Sequence, residues 1–121
     1  MTDKPRAFTR ANRVRKRPEF LAIYKRCRPM HTAHLVFYAQ SGDGEARRLG
    51  CTVPKKVGCS VVRNRLKRRI REVFRLNREA LPEGCTLIVN AKRTAGSLKT
   101  GEIASAMTKI AERLSSEGYP Q

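Results

Sequence analysis

Apolar residues recur along this chain with two different periods, and the switches between them mark out its elements. After Arg17, the positions Phe20, Leu21, Ile23, Tyr24 and Cys27 fall three and four apart, as on one helix face, and Pro18 suits a first-turn position. This predicts a helix that stops before Pro29. Leu35-Val36-Phe37-Tyr38-Ala39 and Leu49-Gly50-Cys51-Thr52-Val53 have strand length and composition, and between them lies the turn-rich Ser41-Gly42-Asp43-Gly44-Glu45. The pair is expected to form an antiparallel hairpin. Side chains alternate across a strand, so Leu35, Phe37 and Ala39 share one face and Val36 and Tyr38 the other. The first face is expected to be core and Tyr38 to be exposed.

Pro54-Lys55-Lys56-Val57-Gly58 breaks the second strand. A helix is then predicted over about residues 60–78, with Val62, Leu66, Ile70, Val73 and Phe74 as its buried stripe. Arg63, Lys67, Arg71 and Arg75 flank that stripe on one side, Arg65 and Arg69 on the other. Pro82 and Gly84 close the next connection, and Thr86-Leu87-Ile88-Val89-Asn90 reads as a third strand. Residues 95–100 read as a loop or short turn, after which Ile103, Met107, Ile110, Ala111 and Leu114 mark a final amphipathic helix. The order helix, strand, strand, helix, strand, helix, with a crossover helix between strands two and three, predicts an α+β sandwich.

At 121 residues the chain has room for one domain, read here as residues 17–118 behind a basic segment at 1–16. That segment is expected to be largely flexible until it meets an anion, with Phe8 and Val14 as anchors. Charge changes the picture most. Lys and Arg number 27 against 10 Asp and Glu, a formal +17, and such self-repulsion opposes compaction unless a polyanion relieves it. Nucleic acid is favoured over an anionic membrane or a heparin-like polymer, because neutralised phosphates release counterions. Residues 63–71 carry six cations and no acid, whereas a merely solvated face usually mixes signs. Arg offers a planar bidentate fork and Lys a mobile point charge, so this helix can meet several phosphates at fixed separations. No run approaches the 18 or so apolar residues of a membrane span, and residues 1–28 lack a signal-peptide apolar segment, so a cytoplasmic location is expected.

Catalytic chemistry by the chain itself is not indicated. The acids are scattered, and His31 and His34 form a His-x-x-His without a third ligand nearby, so no metal site is expected. Cys27, Cys51, Cys59 and Cys85 contain no Cys-x-x-Cys pair; Cys51 and Cys85 sit in apolar runs as small hydrophobes, and Cys59 at a helix start is a candidate for a lowered pKa. Phe20 and Tyr24, one helical turn apart, and Tyr38 on a strand could stack the bases of a single strand while Lys and Arg hold its backbone. Core packing is the alternative for Phe20.

Residues 63–75, Arg-Asn-Arg-Leu-Lys-Arg-Arg-Ile-Arg-Glu-Val-Phe-Arg, preceded by Val53-Pro54-Lys55-Lys56-Val57-Gly58, closely resemble the signature of the bacterial ribonuclease P protein subunit. The resemblance extends to Asn12-Arg13-Val14, Glu19-Phe20, the strand from Leu35 to Tyr38 and Val89-Asn90-Ala91-Lys92-Arg93. It implies a protein partner of a catalytic RNA that removes the 5′ leader of precursor tRNA, the RNA performing the hydrolysis with magnesium, so that the protein brings no catalytic residues and no cofactor. It also implies a two-layer sandwich like ribosomal protein S5 domain 2, with a left-handed crossover, against the usual preference. Carried over to this chain, Arg63, Asn64, Arg65, Lys67, Arg68, Arg69 and Arg71 would contact the catalytic RNA. Phe20, Tyr24, Val36 and Tyr38 would hold the leader, with Lys55, Lys56 and Lys92 on its backbone. The competing readings from charge alone are a ribosomal or RNA-chaperone-type binding module, and a DNA-binding protein with the basic helix in a major groove; neither DNA nor a membrane is the partner the resemblance implies.

Overall fold

Residues 85–91 set Cys85, Leu87, Val89 and Ala91 on one side of the alternation and Ile88, between Thr86 and Asn90, on the other, and a strand with apolar groups to bury on both faces belongs in the middle of a sheet. The computed structural model, which describes residues 13–14, 16–42 and 46–119, places it there. In chain order the elements are α1 (Arg17–Arg26), β1 (Met30–His31), β2 (Leu35–Ser41), β3 (Arg48–Thr52), α2 (Ser60–Asn77), β4 (Cys85–Ala91) and α3 (Thr100–Glu117). The sheet order is β1-β2-β4-β3. β4 pairs antiparallel with β2, from Leu35 opposite Ala91 to Ser41 opposite Cys85, and parallel with β3, from Arg48 opposite Thr86 to Thr52 opposite Asn90.

This corrects the expected hairpin. β2 and β3 do run in opposite directions, but β4 lies between them. Each flanking strand keeps a half-polar face, with Gln40 on β2 and Arg48 and Thr52 on β3, whereas residues 85–89 of β4 are buried throughout. Centring β4 therefore buries more apolar surface than pairing its flanks directly. β1 escaped the sequence pattern because two residues after Pro29 carry no period; Met30 pairs with Phe37 and His31 with Val36.

Local chemistry explains the helix limits. α1 has Pro18 in its first turn, Glu19 near its N-terminus and Lys25 and Arg26 in its last turn, each favourable to the helix dipole. α3 starts where the Lys99 N–H donates to Glu102 Oε1 at 3.0 Å. Gly84, with φ of 76°, makes the left-handed bend that admits the chain into β4.

Two apolar clusters result, one on each sheet face. On the larger, Leu35, Phe37, Leu49, Leu87 and Val89 meet Leu66, Ile70, Val73 and Phe74 of α2 and Ile103, Met107, Ile110 and Leu114 of α3. Each such buried side chain contributes roughly 1.5–3 kcal/mol of transfer free energy. On the other face, Ile23 of α1 lies over Ile88 of β4 and Val14, with Phe20, Tyr24, Cys27 and Tyr38 packed half-buried around them. Val14 anchors the basic segment as expected, its N–H donating to Leu49 O at 2.9 Å. The rest of the expectation for residues 1–16 falls mostly outside the described residues, as do Phe8, Asn12 and the loop residues 43–45.

Gly50 shows how closely α1 approaches the sheet. A Cβ there would lie 2.7 Å from Ile88 Cδ1 and 2.8 Å from Phe20 Cζ. Ile88 is fully enclosed, so the half-buried Phe20 ring would have to yield. Gly50→Ala is expected to destabilise the fold by about 1–3 kcal/mol through overpacking. Urea denaturation checks this; an unchanged midpoint would contradict the packing described.

Candidate nucleic-acid interface

A helix laid across only part of a sheet face leaves a cleft along its side, and here that cleft is aromatic. The Phe20 and Tyr24 ring centroids are 6.3 Å apart, and Tyr24 meets Tyr38 of β2 edge-on at 4.9 Å with 60° between the planes. Tyr38 is thus half-buried rather than exposed as expected, because α1 brings Tyr24 onto it. Val36 shares its strand face. The Tyr24 hydroxyl donates to Asn90 Oδ1 of β4 at 3.0 Å and lies 3.3 Å from Thr52 Oγ1 at the end of β3. Neither Thr52 nor Asn90 stood out as a site residue in the sequence. The signal that could have found them is the period-two alternation, which sets Asn90 on the face of Ile88 and Thr52 on that of Gly50.

An ion pair holds α1 in this position. Arg48 of β3 donates to Glu19 through both terminal nitrogens, Nη2 to Oε1 at 2.9 Å, and its Nη2 also reaches Arg13 O at 3.3 Å. The Arg48 hydrogen bonds hold the Glu19 carboxyl below its usual range against the opposing pull of burial, and Arg48 is raised in turn. Alongside, an open groove of about 400 Å³ runs between α1 and α2 past the Thr52 end of β3. Phe20, Leu21 and Tyr24 line one wall, Thr52 and Val53 the floor, and Arg17 and Lys67 bring positive charge from either helix.

The basic residues of α2 divide by position. Asn64 and Arg68 stand exposed on the crest. Lys67 and Arg71 lean towards β3, close enough that both favour the ionised form of Cys51, although burial outweighs them and pushes that thiol up to about 12. On the other flank Arg69 Nη1 donates to Leu98 O at 2.6 Å, and the half-buried Arg65 has its Nε enclosed with no partner among the described residues. Arg63 folds back on the preceding turn, Nε to Gly58 O at 3.1 Å and Nη2 to Ser60 Oγ at 3.3 Å. Arg75 pairs with Glu72 at 2.6 Å. The seven carried-over residues therefore wrap the solvent side of α2 instead of sharing one face.

Lys55 and Lys56 are exposed in the 3₁₀ turn at residues 55–57, which leaves β3 at its Thr52 end. By register that end also holds Val36 and Asn90. Lys92 follows β4 there, but its Nζ donates to Thr32 O at 2.7 Å, so it braces the β1–β2 turn as well as carrying charge. His34 is engaged by Thr94, Nδ1 to Oγ1 at 2.7 Å, and no group of three potential metal ligands occurs among the described residues. Burial pushes the Cys85 thiol up to about 11, while the Val62 and Val61 amides at the start of α2 lower that of the exposed Cys59. No helix among the described residues is long and apolar enough to cross a membrane.

A family model described as Ribonuclease P matches residues 8–115. The chain belongs to the ribonuclease P protein family. The ribonuclease P protein component of Desulfatibacillum aliphaticivorans is 37% identical over 109 residues, 90% of this chain and 92% of that protein. That of Desulfovibrio desulfuricans is 39% identical over 106 residues, 84% and 82% of the two chains. Among solved structures, the ribonuclease P protein of Staphylococcus aureus superposes with a TM-score of 0.75 at 29% identity, covering 88% of this chain and 97% of that one. The Thermotoga maritima protein gives 0.75 at 27% identity, covering 84% and 96%. The chain thus shares its fold with those ribonuclease P proteins over nearly the whole of their length.

Since the Glu19 carboxyl ionises more readily in the folded protein, its contribution is present above the usual carboxylate range and is lost as pH falls through the folded value. With both partners about one-third exposed, screening leaves about 1 kcal/mol or less. Glu19→Gln should therefore lower stability by about that much at pH 7 and converge with the unsubstituted protein only once the pH has fallen below the lowered folded value. Urea midpoints across that range measure it, and a gap independent of pH would exclude the ion pair as its source.

Proposed function

We propose that this ribonuclease P protein binds the catalytic RNA through α2 and receives the 5′ leader of precursor tRNA in the α1 cleft, promoting endonucleolytic release of the mature tRNA 5′ end. Arg63, Asn64, Arg65, Lys67, Arg68, Arg69 and Arg71 form the catalytic-RNA surface. Phe20, Tyr24, Val36 and Tyr38 seat the leader, and Lys55, Lys56 and Lys92 meet its phosphates. The RNA carries the catalytic centre and uses magnesium, while the protein supplies position and charge, acting in the cytoplasm as one RNA-binding domain over residues 17–118.

The observation that carries this reading is the juxtaposition of a cationic helix crest with a cleft of half-exposed rings. Phosphates need only the first. Rings with a face open to a ligand suit unstacked bases, which a duplex keeps inside its stack. A neutral, flexible base and a charged backbone can thus be held at once, the backbone at the lysines of the sheet end.

Adding the purified chain to its catalytic RNA is expected to raise precursor tRNA cleavage at low magnesium, and the chain without RNA should cleave nothing. No stimulation where another ribonuclease P protein stimulates would refute the reading, as would equal affinity for duplex DNA. Within the complex, Arg68→Ala should weaken assembly and reduce its salt slope by roughly one. Tyr38→Ala should leave assembly intact but cost leader-bearing substrate about 1–3 kcal/mol. Direct binding titrations over a salt series separate the two effects.

A further inference from the structure

The cleft floor is polar where its walls are aromatic, and the hydrogen bonds there fix which groups remain available. A tyrosine hydroxyl has one proton, and Tyr24 gives it to Asn90 Oδ1 at 3.0 Å. The 3.3 Å contact between Tyr24 and Thr52 must then use the Thr52 proton. Two consequences follow. The Tyr24 hydrogen bond orients the Asn90 carboxamide, and its Nδ2 donates to no described residue and is not among the fully enclosed unpartnered atoms, so it keeps donor capacity for a ligand. Thr52 Oγ1, on an exposed residue beside it, keeps lone pairs for accepting.

Resting on the reading of this cleft as the seat of the leader, we propose that Asn90 is a specificity-determining residue: its oriented amide, with Thr52 beside it, reads the hydrogen-bonding edge of one leader base. A fixed neutral donor next to an acceptor matches a base edge, which presents both; a phosphate presents acceptors only and is better met by the lysines at the sheet end. The rings of Tyr24 and Tyr38 engage base faces, which all bases share, and so cannot discriminate. The half-buried amide can. A base that offers it no acceptor leaves a donor stripped of water, and that mismatch costs affinity. Tyr24 is on this account a positioning residue for Asn90, in addition to its stacking surface.

The test is equilibrium binding of the assembled protein–RNA complex to precursor tRNAs whose leader carries each of the four bases at each position in turn. One position should show a spread of about tenfold in affinity, the range of a single well-made hydrogen bond. Asn90→Val should collapse that spread to within about twofold while leaving assembly with the catalytic RNA unchanged. Asn90→Asp, which replaces donors with acceptors, should reorder the bases. Tyr24→Phe, which keeps the ring and releases the amide, should narrow the spread. Retention of the full spread in Asn90→Val, or a uniform loss on all leaders, would overturn the proposal and leave Asn90 as a docking contact for α1. A complex that binds every leader alike but still prefers precursor to mature tRNA would overturn it too, leaving the leader reading intact. Equal affinity for precursor and mature tRNA would instead remove the leader reading itself, and this proposal with it.

Discussion

The structure depends on one strand being buried on both faces. Residues 85–89 of β4 have no side open to water, so the sheet must continue on both edges and be covered above and below. β2 and β3 meet the first demand, α2 with α3 and α1 the second. Because Cys85, Leu87 and Val89 point one way and Ile88 the other, the two covers cannot merge into one core. The second cluster is small, and α1 spans only part of it. That incomplete cover is what makes a cleft.

Burial also governs what the positive charge can do. With 27 cations and 10 acids, ion pairing inside the protein cannot neutralise the chain. Carbonyl oxygens hold several of the remaining cations in place, with Arg63 on Gly58 O, Arg69 on Leu98 O and Lys92 on Thr32 O. A guanidinium anchored through one N–H keeps others for a ligand while losing little further entropy on binding, which is the physical meaning of a preorganised phosphate surface. The scarce acids are placed where geometry matters, with Glu19 clamping α1 to β3.

Much of this was legible in the sequence. The periods of three to four and of two located all three helices and the three longer strands, since each depends on which residues within one element share a face. The faces of β2 followed likewise, with Leu35, Phe37 and Ala39 in the core. The basic run at residues 63–71 identified a polyanion as partner, and the order of its residues indicated the family. Strand order was not legible, because the turn formers between β2 and β3 report a reversal of direction and nothing about what lies between the strands. Nor was the exposure of Tyr38, which depends on a ring delivered from α1.

The sequence by itself determined the elements, their buried faces and the class of partner, because periodicity and charge are properties of residues near one another along the chain. Only the tertiary structure decided that Tyr24, Thr52 and Asn90 form one hydrogen-bonded group, that Arg48 reaches Glu19, and that the basic crest and the aromatic cleft lie on either side of one groove. These contacts join residues 28 to 66 positions apart. They exist because β4 enters between β2 and β3, a choice set by the total apolar surface buried rather than by any local signal.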